Sequence, residues 1–318
     1  MRLVYYGTPS FAVAPIRRLV ADGRSPLLVV TRRDKPRGRG LELQPSPVRA
    51  AAEELGLPVA TPARASAPEE IERVRALSPD LLVVVAYGQI LSPELLALPR
   101  LGALNVHFSL LPRHRGAAPV QAALLAGDEE TGVSTMWMTE GLDEGDIFLS
   151  RPTSIGPEEN AGALGERLTA MGADLLAESL SLLEQGAATR RPQDAALATY
   201  APKIRDEDAR LAFDAPAADL ARSVRAYTPA PGAWIDLEAG RLGVIAASAE
   251  PRAAALAAGT VAGVDRARGL CVSCGEGTLW LARVRPAGRK EMSGADYANG
   301  ARLRPGSLLP LRARTAAS

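Results

Sequence analysis

The first half of the chain alternates short unbroken apolar runs with segments of helical periodicity, and this alternation restricts the fold more than any other feature. The runs cover residues 3–6, 27–30 and 81–86. Because they are unbroken, they predict strands that are buried on both faces, as in a parallel sheet covered by helices. The helical segments are at residues 10–21, 47–55 and 68–77. Together they predict an α/β fold with a doubly wound, mostly parallel, Rossmann-like sheet.

Polar residues mark the starts of two of these helices. Ser10 is predicted to cap the first, because a serine hydroxyl can accept a hydrogen bond from a free N–H of the opening turn. Glu69 and Glu70 place negative charge in the first turn of the third helix, where the helix dipole favours it. Further strands are predicted at residues 103–107, 132–138 and 147–150, and further helices at residues 119–125 and 161–183.

The composition changes after the last of these helices. Residues 186–202 are rich in Ala, Thr, Arg, Pro and Gln without periodicity, which predicts a linker. A helix at 216–226 then precedes short strand signals at 233–237, 241–246, 269–273 and 279–284. Strands at this spacing predict a small β-barrel of the OB-like kind. We therefore predict an α/β domain at 1–188, a linker at 189–205 and a C-terminal barrel at 206–312.

Composition excludes several classes of protein. The 318 residues are 47% apolar and 23% charged, as in a globular protein of two domains. The apolar runs are too short to span a membrane, and a strand signal begins so close to Met1 that we expect no leader and a place in the cytoplasm. Cys271 and Cys274 form a lone C-x-x-C pair, which cannot complete a zinc site, so we expect no metal. Residues 200–318 carry a net charge of +5 and residues 1–199 a net charge of −4. The basic C-terminal part is a weak indication of a polyanionic partner.

The two histidines of the chain, His107 and His114, lie close together near the end of a predicted strand. Ligands of open α/β sheets bind beyond such strand ends, and strand alternation puts Asn105 on the same side as His107. An amide and an imidazole side by side can bind an oxyanion and move a proton. Asp143, in the Gly-rich segment 140–146, is a candidate acid, although an ordinary acidic turn explains that segment equally well. The chain has neither G-x-G-x-x-G nor a P-loop, which disfavours a nicotinamide dehydrogenase or an ATPase.

The residues around the histidines form a recognisable pattern. Asn105-Val106-His107 precedes Ser109-Leu110-Leu111-Pro112, and Asp143 follows His107 by 36 residues. This pattern resembles the signature of the folate-dependent formyltransferases. Other segments resemble the members of that family that use an aminoacylated tRNA: Gly7-Thr8-Pro9-x-Phe11-Ala12, residues 34–40 and 45–48, residues 113–121, Tyr200-Ala201-Pro202-Lys203-Ile204, and residues 286–293.

The resemblance implies a reaction and a set of site residues. The donor would be 10-formyltetrahydrofolate, and the acceptor the α-amine of methionine on the initiator tRNA, held by its acceptor stem. Asn105 and His107 would stabilise the oxyanion, and Asp143 would assist proton transfer, without a metal. The implied folate-binding residues are Tyr87, Gly88, Gln89, Ile90, Leu91, Ser109, Leu110, Leu111, Pro112, Gly141 and Leu142. The implied tRNA-binding residues are Arg32, Arg33, Lys35, Arg37, Arg39, Lys203, Arg289 and Lys290. We also expect a monomer with no membrane partner.

The chain departs from the family pattern at two places, and other functions stay open. Phe108 stands where small residues or proline are more familiar, so access to the site is expected to differ. Leu41-Glu42 interrupts the basic loop, where relatives often have lysines. The alternatives are formyl transfer to a small amine such as a purine precursor or sugar nucleotide, RNA binding without catalysis, and hydrolysis of the folate to release formate.

Overall fold

The computed structural model describes residues 1–37, 42–251 and 256–312, and the chain divides into two compact units. The first unit comprises Met1–Pro119, Glu130–Ile155 and Gly165–Pro202. The second comprises Val120–Glu129, Gly156–Leu164 and the chain from Lys203 onward. The units are therefore not simple consecutive halves of the sequence. The domain limits at 188 and 206 stay a prediction.

Among the described residues, a seven-stranded sheet forms the centre of the first unit. The strands of this unit are β1 Leu3–Gly7, β2 Leu28–Val30, β3 Lys35–Arg37, β4 Glu42–Gln44, β5 Val59–Ala60, β6 Leu81–Val85, β7 Ala103–His107, β8 Arg115–Gly116, β9 Glu130–Trp137, β10 Ile147–Ser154 and β11 Tyr200–Ala201. The order in the sheet is β10-β9-β7-β6-β1-β2-β5. Five neighbouring strands, β5, β2, β1, β6 and β7, run parallel to one another. The strands β9 and β10 extend the sheet beyond β7 in antiparallel pairs. The predicted doubly wound, mostly parallel sheet is confirmed.

The central strands β1, β6 and β7 are fully buried, and the unbroken apolar sequences of β1 and β6 suit strands covered by helices on both faces of the sheet. The helices of this unit are α1 Val13–Ala21, α2 Pro47–Glu54, α3 Pro68–Ala76 and α4 Pro93–Ala97; α5 Pro119–Ala126 falls almost wholly within the second unit, and most of α6 Ala161–Glu184 belongs to the first. Proline occupies the first turn of α2, α3 and α4, where its missing N–H costs no hydrogen bond. The predicted acidic opening of α3, at Glu69 and Glu70, is confirmed.

The structure corrects three local predictions. Ser10 does not cap a helix, because Ser10–Ala12 forms a 3₁₀ turn and α1 begins only at Val13. The predicted basic loop contains the hairpin β3–β4, whose backbone pairing gives no apolar signal in so polar a sequence. Part of the predicted linker is structured, since β11 pairs in parallel with β8 of the first unit.

The second unit contains a six-stranded sheet of antiparallel pairs. Its strands are β12 Ala233–Leu237, β13 Gly240–Glu250, β14 Val261–Asp265, β15 Gly269–Ser273, β16 Thr278–Pro286 and β17 Met292–Ser293, with helices α7 Ala217–Tyr227 and α8 Gly294–Gly300. Leu220 and Val224 of α7 pack into the apolar core of this sheet. The strands β14 and β17 and the helix α8 are short, and β14 and α8 also contain glycine, which is why the periodicity did not predict them. Closure into an OB-like barrel stays a prediction.

The two cysteines are buried free thiols in this unit. Cys271 lies in β15, and Cys274 follows directly after that strand. Burial raises the pKa of the Cys271 thiol and raises that of Cys274 to about 12. Both thiols therefore stay protonated at neutral pH and act as small apolar groups. In the described part of the chain, no helix is long and apolar enough to cross a membrane.

Candidate active site

The predicted site residues lie at the carboxyl edge of the first unit's sheet. There β1, β6 and β7 are parallel neighbours, so their carboxyl ends lie side by side. The order of the sheet reverses between β1 and β6, and such a reversal opens a crevice in doubly wound sheets. The hydroxyl of Thr8, just after β1, donates to the carbonyl oxygen of Tyr87, just after β6, at 2.9 Å. The loops after these two strands are thereby joined.

His107 is the last residue of β7 and is only 5% exposed. Its Nε2 lies 2.9 Å from the carbonyl oxygen of His114. A carbonyl oxygen only accepts hydrogen bonds, so Nε2 must carry the hydrogen. In the neutral imidazole the other nitrogen, Nδ1, then holds a free lone pair. The ring is thus fixed with one nitrogen able to accept a proton.

Asp143 faces that free nitrogen. Its Oδ2 lies 3.6 Å from Nδ1 of His107 and accepts the backbone N–H of Gly116 at 2.8 Å. The distance to Nδ1 is longer than a hydrogen bond but suits an ion pair once the imidazole is protonated. Asp143 adopts φ +49°, a left-handed conformation that needs support from its surroundings. A proton taken up by His107 would therefore meet a carboxylate already in place.

Asn105 precedes His107 by two residues in β7 and is 8% exposed. Strand alternation places both side chains on the same face of the sheet. The structure therefore brings all three predicted catalytic residues to one edge, with an amide donor, an imidazole and a carboxylate in succession. In the residues that the structure describes, no group of three or more His, Cys, Asp or Glu side chains is arranged to hold a metal ion.

Phe108 was expected to alter access to the site, but its ring packs elsewhere. It follows His107 and so points to the opposite face of the sheet. There it is buried against Phe11, with ring centroids 5.7 Å apart, and beside Gly172 of α6. Its size is accommodated in the core and not at the edge that carries His107.

The segment after β7 is held by hydroxyl groups. Ser109 donates to the carbonyl oxygen of Arg113 at 2.6 Å. Ser134 of β9 donates to the carbonyl oxygen of Ser109 at 2.8 Å and accepts the N–H of Leu111 at 3.2 Å. The predicted folate-binding Ser109 and Leu111 thus shape the loop, and Leu111 also packs into a small apolar cluster. Leu110 and Pro112 are half-buried. The sequence prediction did not include Ser134, although a serine inside an apolar strand was a signal.

The predicted folate-binding residues after β6 divide into buried and exposed ones. The Tyr87 ring is 2% exposed and packs edge-on against Tyr6 in the core, and burial raises its pKa to about 12. Leu91 is also in the core. Gln89 accepts the N–H of Ala65 at 2.8 Å. The side chains of Tyr87 and Leu91 are therefore part of the core, whereas the main chain around Gly88 stays available.

Large apolar side chains are exposed in two of the predicted folate-binding segments. Ile90 is 88% exposed and Leu142, beside Gly141, is 61% exposed. Both belong to loops that the prediction assigned to the same pocket. Exposed apolar side chains beside polar groups are surfaces that a flat ring system can cover.

The strand β11 and the residue before it, Thr199, support the loop that carries His114. The N–H of His114 donates to the Thr199 hydroxyl, and the N–H of Arg115 donates to the Thr199 carbonyl oxygen, each at 2.8 Å. The N–H of Ala117 donates to the carbonyl oxygen of Ala201 at 2.8 Å. Sequence reasoning assigned this segment to a linker and missed Thr199, although the motif that begins at Tyr200 marked its position.

The strands β8 and β11 pass very close to each other at Gly116. It has φ +119°, and a Cβ on it would lie 2.6 Å from the carbonyl oxygen of Ala201. Any side chain must therefore displace either β11 or the N–H that Asp143 accepts.

We expect Gly116→Ala to lower kcat of the predicted reaction at least about tenfold, because small displacements of reacting groups are costly. It should also lower the free energy of unfolding by roughly 1–3 kcal/mol through backbone strain. Steady-state kinetics and thermal unfolding measure both. Gly186→Ala is the matched control, since Gly186 also has a positive φ, +72°, but no atom lies within 4 Å of its Cβ position. Equal effects of the two substitutions on kcat would contradict this role for Gly116.

The predicted tRNA-binding residues are found in both units. Arg33 is exposed, and the guanidinium of Arg32 lies beside Gly88. Lys35 and Arg37 belong to β3, and Arg39 lies outside the described residues. In the second unit, Lys203, Arg289 and Lys290 are exposed.

The ends of the β3–β4 hairpin are tied together. Arg49 pairs with Asp34 at 2.7 Å, and the hydroxyls of Thr31 and Ser46 lie 2.7 Å apart. Ser46 also caps α2 by accepting the N–H of Arg49. The two ends of the hairpin are therefore fixed by contacts with each other and with the start of α2.

Comparison with known proteins identifies the family. The formyl transferase family profile matches residues 1–180, and the profile for the formyl transferase C-terminal domain matches residues 203–302. A methionyl-tRNA formyltransferase from Halorhodospira halophila is 50% identical, covering 96% of this chain and 98% of that protein. A methionyl-tRNA formyltransferase from Methylobacterium sp. is 47% identical, covering 97% of this chain and 99% of that protein. The chain therefore belongs to the formyl transferase family, as the N-x-H and S-L-L-P pattern predicted. Within that family it belongs to the methionyl-tRNA formyltransferases, as the other segments of resemblance predicted.

Solved structures share the fold at low sequence identity. HypX from Aquifex aeolicus, solved in complex with tetrahydrofolic acid, has a TM-score of 0.61 and 16% identity, with 99% of this chain covered. The chain spans only 50% of the length of that protein. An N-formyltransferase from Helicobacter canadensis, solved with folinic acid and dTDP-3-aminofucose, has a TM-score of 0.64 and 14% identity, covering 88% of this chain and 98% of its own.

Proposed function

We propose that this chain transfers the formyl group of 10-formyltetrahydrofolate to the α-amine of methionine on initiator methionyl-tRNA. The observation that carries the proposal is the pairing of His107 with Asp143, beside Asn105, at the carboxyl edge of the sheet. The relatives named above, which match this chain from end to end, support the acceptor.

The site residues suit direct attack by the amine on the formyl carbon. The attack turns the formyl oxygen into an oxyanion, and the Asn105 amide would donate to it, a contribution worth about 3–4 kcal/mol for one donor. The proton lost by the amine would pass to Nδ1 of His107, directly or through water, with Asp143 stabilising the resulting imidazolium. Nδ1–H could then also donate to the oxyanion. Collapse of the intermediate expels the folate nitrogen, which takes up the proton held by His107, directly or through water, as the N–C bond breaks, so that the imidazole returns to its neutral form.

The folate would lie between the loops after β6 and β9. The exposed side chains of Ile90 and Leu142 offer apolar surface for the pterin ring, and the main chain near Gly88 and Gly141 offers polar groups. The neighbours solved with tetrahydrofolic acid and folinic acid support a folate donor. The remaining predicted folate-binding residues would support the loops that form this pocket.

The tRNA would be held by basic residues of both parts of the chain. In this proposal residues 1–188 catalyse, 189–205 connect, and 206–312 form a barrel that binds the acceptor arm. The exposed Arg33, Lys203, Arg289 and Lys290 can contact phosphates, and the basic hairpin can reach the end of the acceptor stem. We further propose that the enzyme acts as a monomer in the bacterial cytoplasm.

We expect Arg39→Ala to raise KM for methionyl-tRNA roughly tenfold, the effect of losing one charged hydrogen bond, and to leave the Kd for folate unchanged. Steady-state kinetics with varied tRNA and equilibrium folate binding measure the two effects. Arg100→Ala is the control, because Arg100 is an exposed arginine of the first unit that pairs with Asp80. Equal loss of tRNA and folate binding in Arg39→Ala would reject the assignment.

The proposed reaction is tested by incubating the purified chain with 10-formyltetrahydrofolate and one acceptor at a time. The acceptors are methionyl initiator tRNA, an amino sugar nucleotide, a purine-precursor amine, and none. Formylmethionyl-tRNA formed over many turnovers is the expected product. Turnover only with a small amine, or formate release without any acceptor, would assign the site to one of the other reactions. Stoichiometric tRNA binding without turnover would indicate a binding protein.

A further inference from the structure

The side chain of Gln193 connects two loops of the site. Its Oε1 accepts hydrogen bonds from Nε and Nη2 of Arg115, at 3.0 and 2.8 Å. Its Nε2 donates to the carbonyl oxygens of Asp143 and Gly145, at 2.9 and 2.7 Å. Every donor and acceptor of the carboxamide is therefore used, although Gln193 lies 50 residues beyond Asp143 in sequence.

The orientation of this carboxamide follows from its partners. A guanidinium only donates, so the atom facing Arg115 must be the oxygen. The carbonyl oxygens of Asp143 and Gly145 only accept, so the atom facing them must be the NH₂ group. A residue that lacks either half cannot make the same set of contacts.

Residues 114–116 each hold one part of the site. The carbonyl oxygen of His114 fixes Nε2 of His107, and the N–H of Gly116 binds the carboxylate of Asp143. Arg115 stands between them, with its side chain 5% exposed, and reaches the Asp143 backbone through Gln193. The histidine and the aspartate are thus placed by one short segment, residues 114–116, and the aspartate is held both at its carboxylate and at its main chain.

We propose that Gln193 is a positioning residue for formyl transfer, which holds the Asp143 loop so that the carboxylate faces Nδ1 of His107. The left-handed conformation of Asp143, φ +49°, needs such support, and the two carbonyl oxygens that accept from Gln193 flank the turn that follows it. This inference rests on the proposed function for its effect on rate, but its geometry does not depend on the acceptor.

A simpler role for Gln193 would be to satisfy the buried charge of Arg115. Two substitutions separate these roles. Gln193→Glu keeps an acceptor for Arg115 but sets carboxylate oxygens against the carbonyl oxygens of Asp143 and Gly145, which repel them. Gln193→Leu removes the N–H donors without adding charge. Both variants lose the donation to the Asp143 loop, and only the second leaves Arg115 without its acceptor.

We expect both variants to lower kcat by roughly 10- to 100-fold, because the loop that carries Asp143 is displaced. KM for methionyl-tRNA should change less than about threefold, since a group needed only in the transition state affects kcat. Gln185→Glu and Gln185→Leu are matched controls at an exposed glutamine that follows α6. They should match wild type.

A spectroscopic measurement makes the test independent of activity. The chain has two histidines, so ¹⁵N spectra of the imidazoles contain few signals, which His114→Asn assigns. The Nδ1 signal of His107 should shift in both Gln193 variants and stay unchanged in both Gln185 variants. Wild-type kcat in Gln193→Glu, or an unshifted His107 signal in a folded variant of reduced activity, would overturn the inference. Failure of wild type to formylate methionyl-tRNA would reject the proposed function, while the spectra would still decide the role of Gln193.

Discussion

Asp143→Asn is expected to lower kcat for formyl transfer by roughly 10²- to 10⁴-fold, the range lost with a positioned acid–base group. The amide oxygen can still accept the N–H of Gly116, so the loop should keep its place. Because the same oxygen, Oδ2, also lies 3.6 Å from Nδ1 of His107, the uncharged amide oxygen would take the place of the carboxylate oxygen there. The substitution therefore removes the charge that stabilises the imidazolium while keeping the hydrogen bond to Gly116.

Single-turnover formylation with saturating folate measures this effect apart from product release. Glu144→Gln is the matched control, because it removes a negative charge from the adjacent, exposed residue of the same turn. Its rate should lie within about threefold of wild type, since a group far from the reacting atoms contributes little transition-state stabilisation. Similar losses in both variants would show that the charge of the turn matters and the pairing with His107 does not.

His107→Ala is expected to lower kcat over a similar range, roughly 10²- to 10⁴-fold, because it removes the proton acceptor. It also leaves the carbonyl oxygen of His114 without the donor that lies 2.9 Å away in the native site. The free energy of unfolding should fall by about 1–3 kcal/mol, the cost of a buried unsatisfied polar group. Rates should therefore be compared well below the unfolding temperature of the variant.

His114→Asn separates the two histidines. The site uses the main-chain carbonyl of His114, and asparagine tolerates the positive φ, +58°, found at this position. We expect a kcat within about threefold of wild type if only the carbonyl acts on His107. A loss as large as that of His107→Ala would show that the His114 ring takes part in the reaction.

The losses of kcat in His107→Ala and in Asp143→Asn should not multiply when the two substitutions are combined. If Asp143 acts through His107, the double variant His107→Ala/Asp143→Asn loses no more activity than the worse single variant, because the residues act as a unit. Rates that fall by the product of the two single losses would indicate independent roles, such as direct binding of the amine by Asp143.

Much of the fold could be predicted because the signals were local. Unbroken apolar runs predicted the buried strands β1, β2 and β6 and the parallel sheet. The N-x-H spacing predicted that Asn105 and His107 share a face, since period-two alternation needs no tertiary information. The Ser10 cap was wrong because the chain forms a 3₁₀ turn at Ser10–Ala12 before α1 begins at Val13. The β3–β4 hairpin was missed because its strands are short and polar.

By itself the sequence determined the alternation of strands and helices along the first half of the chain, the two chemically suited residues of β7 and the candidate aspartate, because periodicity and residue type can be read from neighbouring positions. The order of the strands in the sheet came from the structure. Only the tertiary structure decided that Asp143 faces Nδ1 and that a main-chain carbonyl holds Nε2. The same is true of Gln193 and Thr199, which contact the site from a segment with no periodic pattern. Those contacts are hydrogen bonds between residues far apart in the chain, whose partners are fixed by distance and direction in the folded sheet.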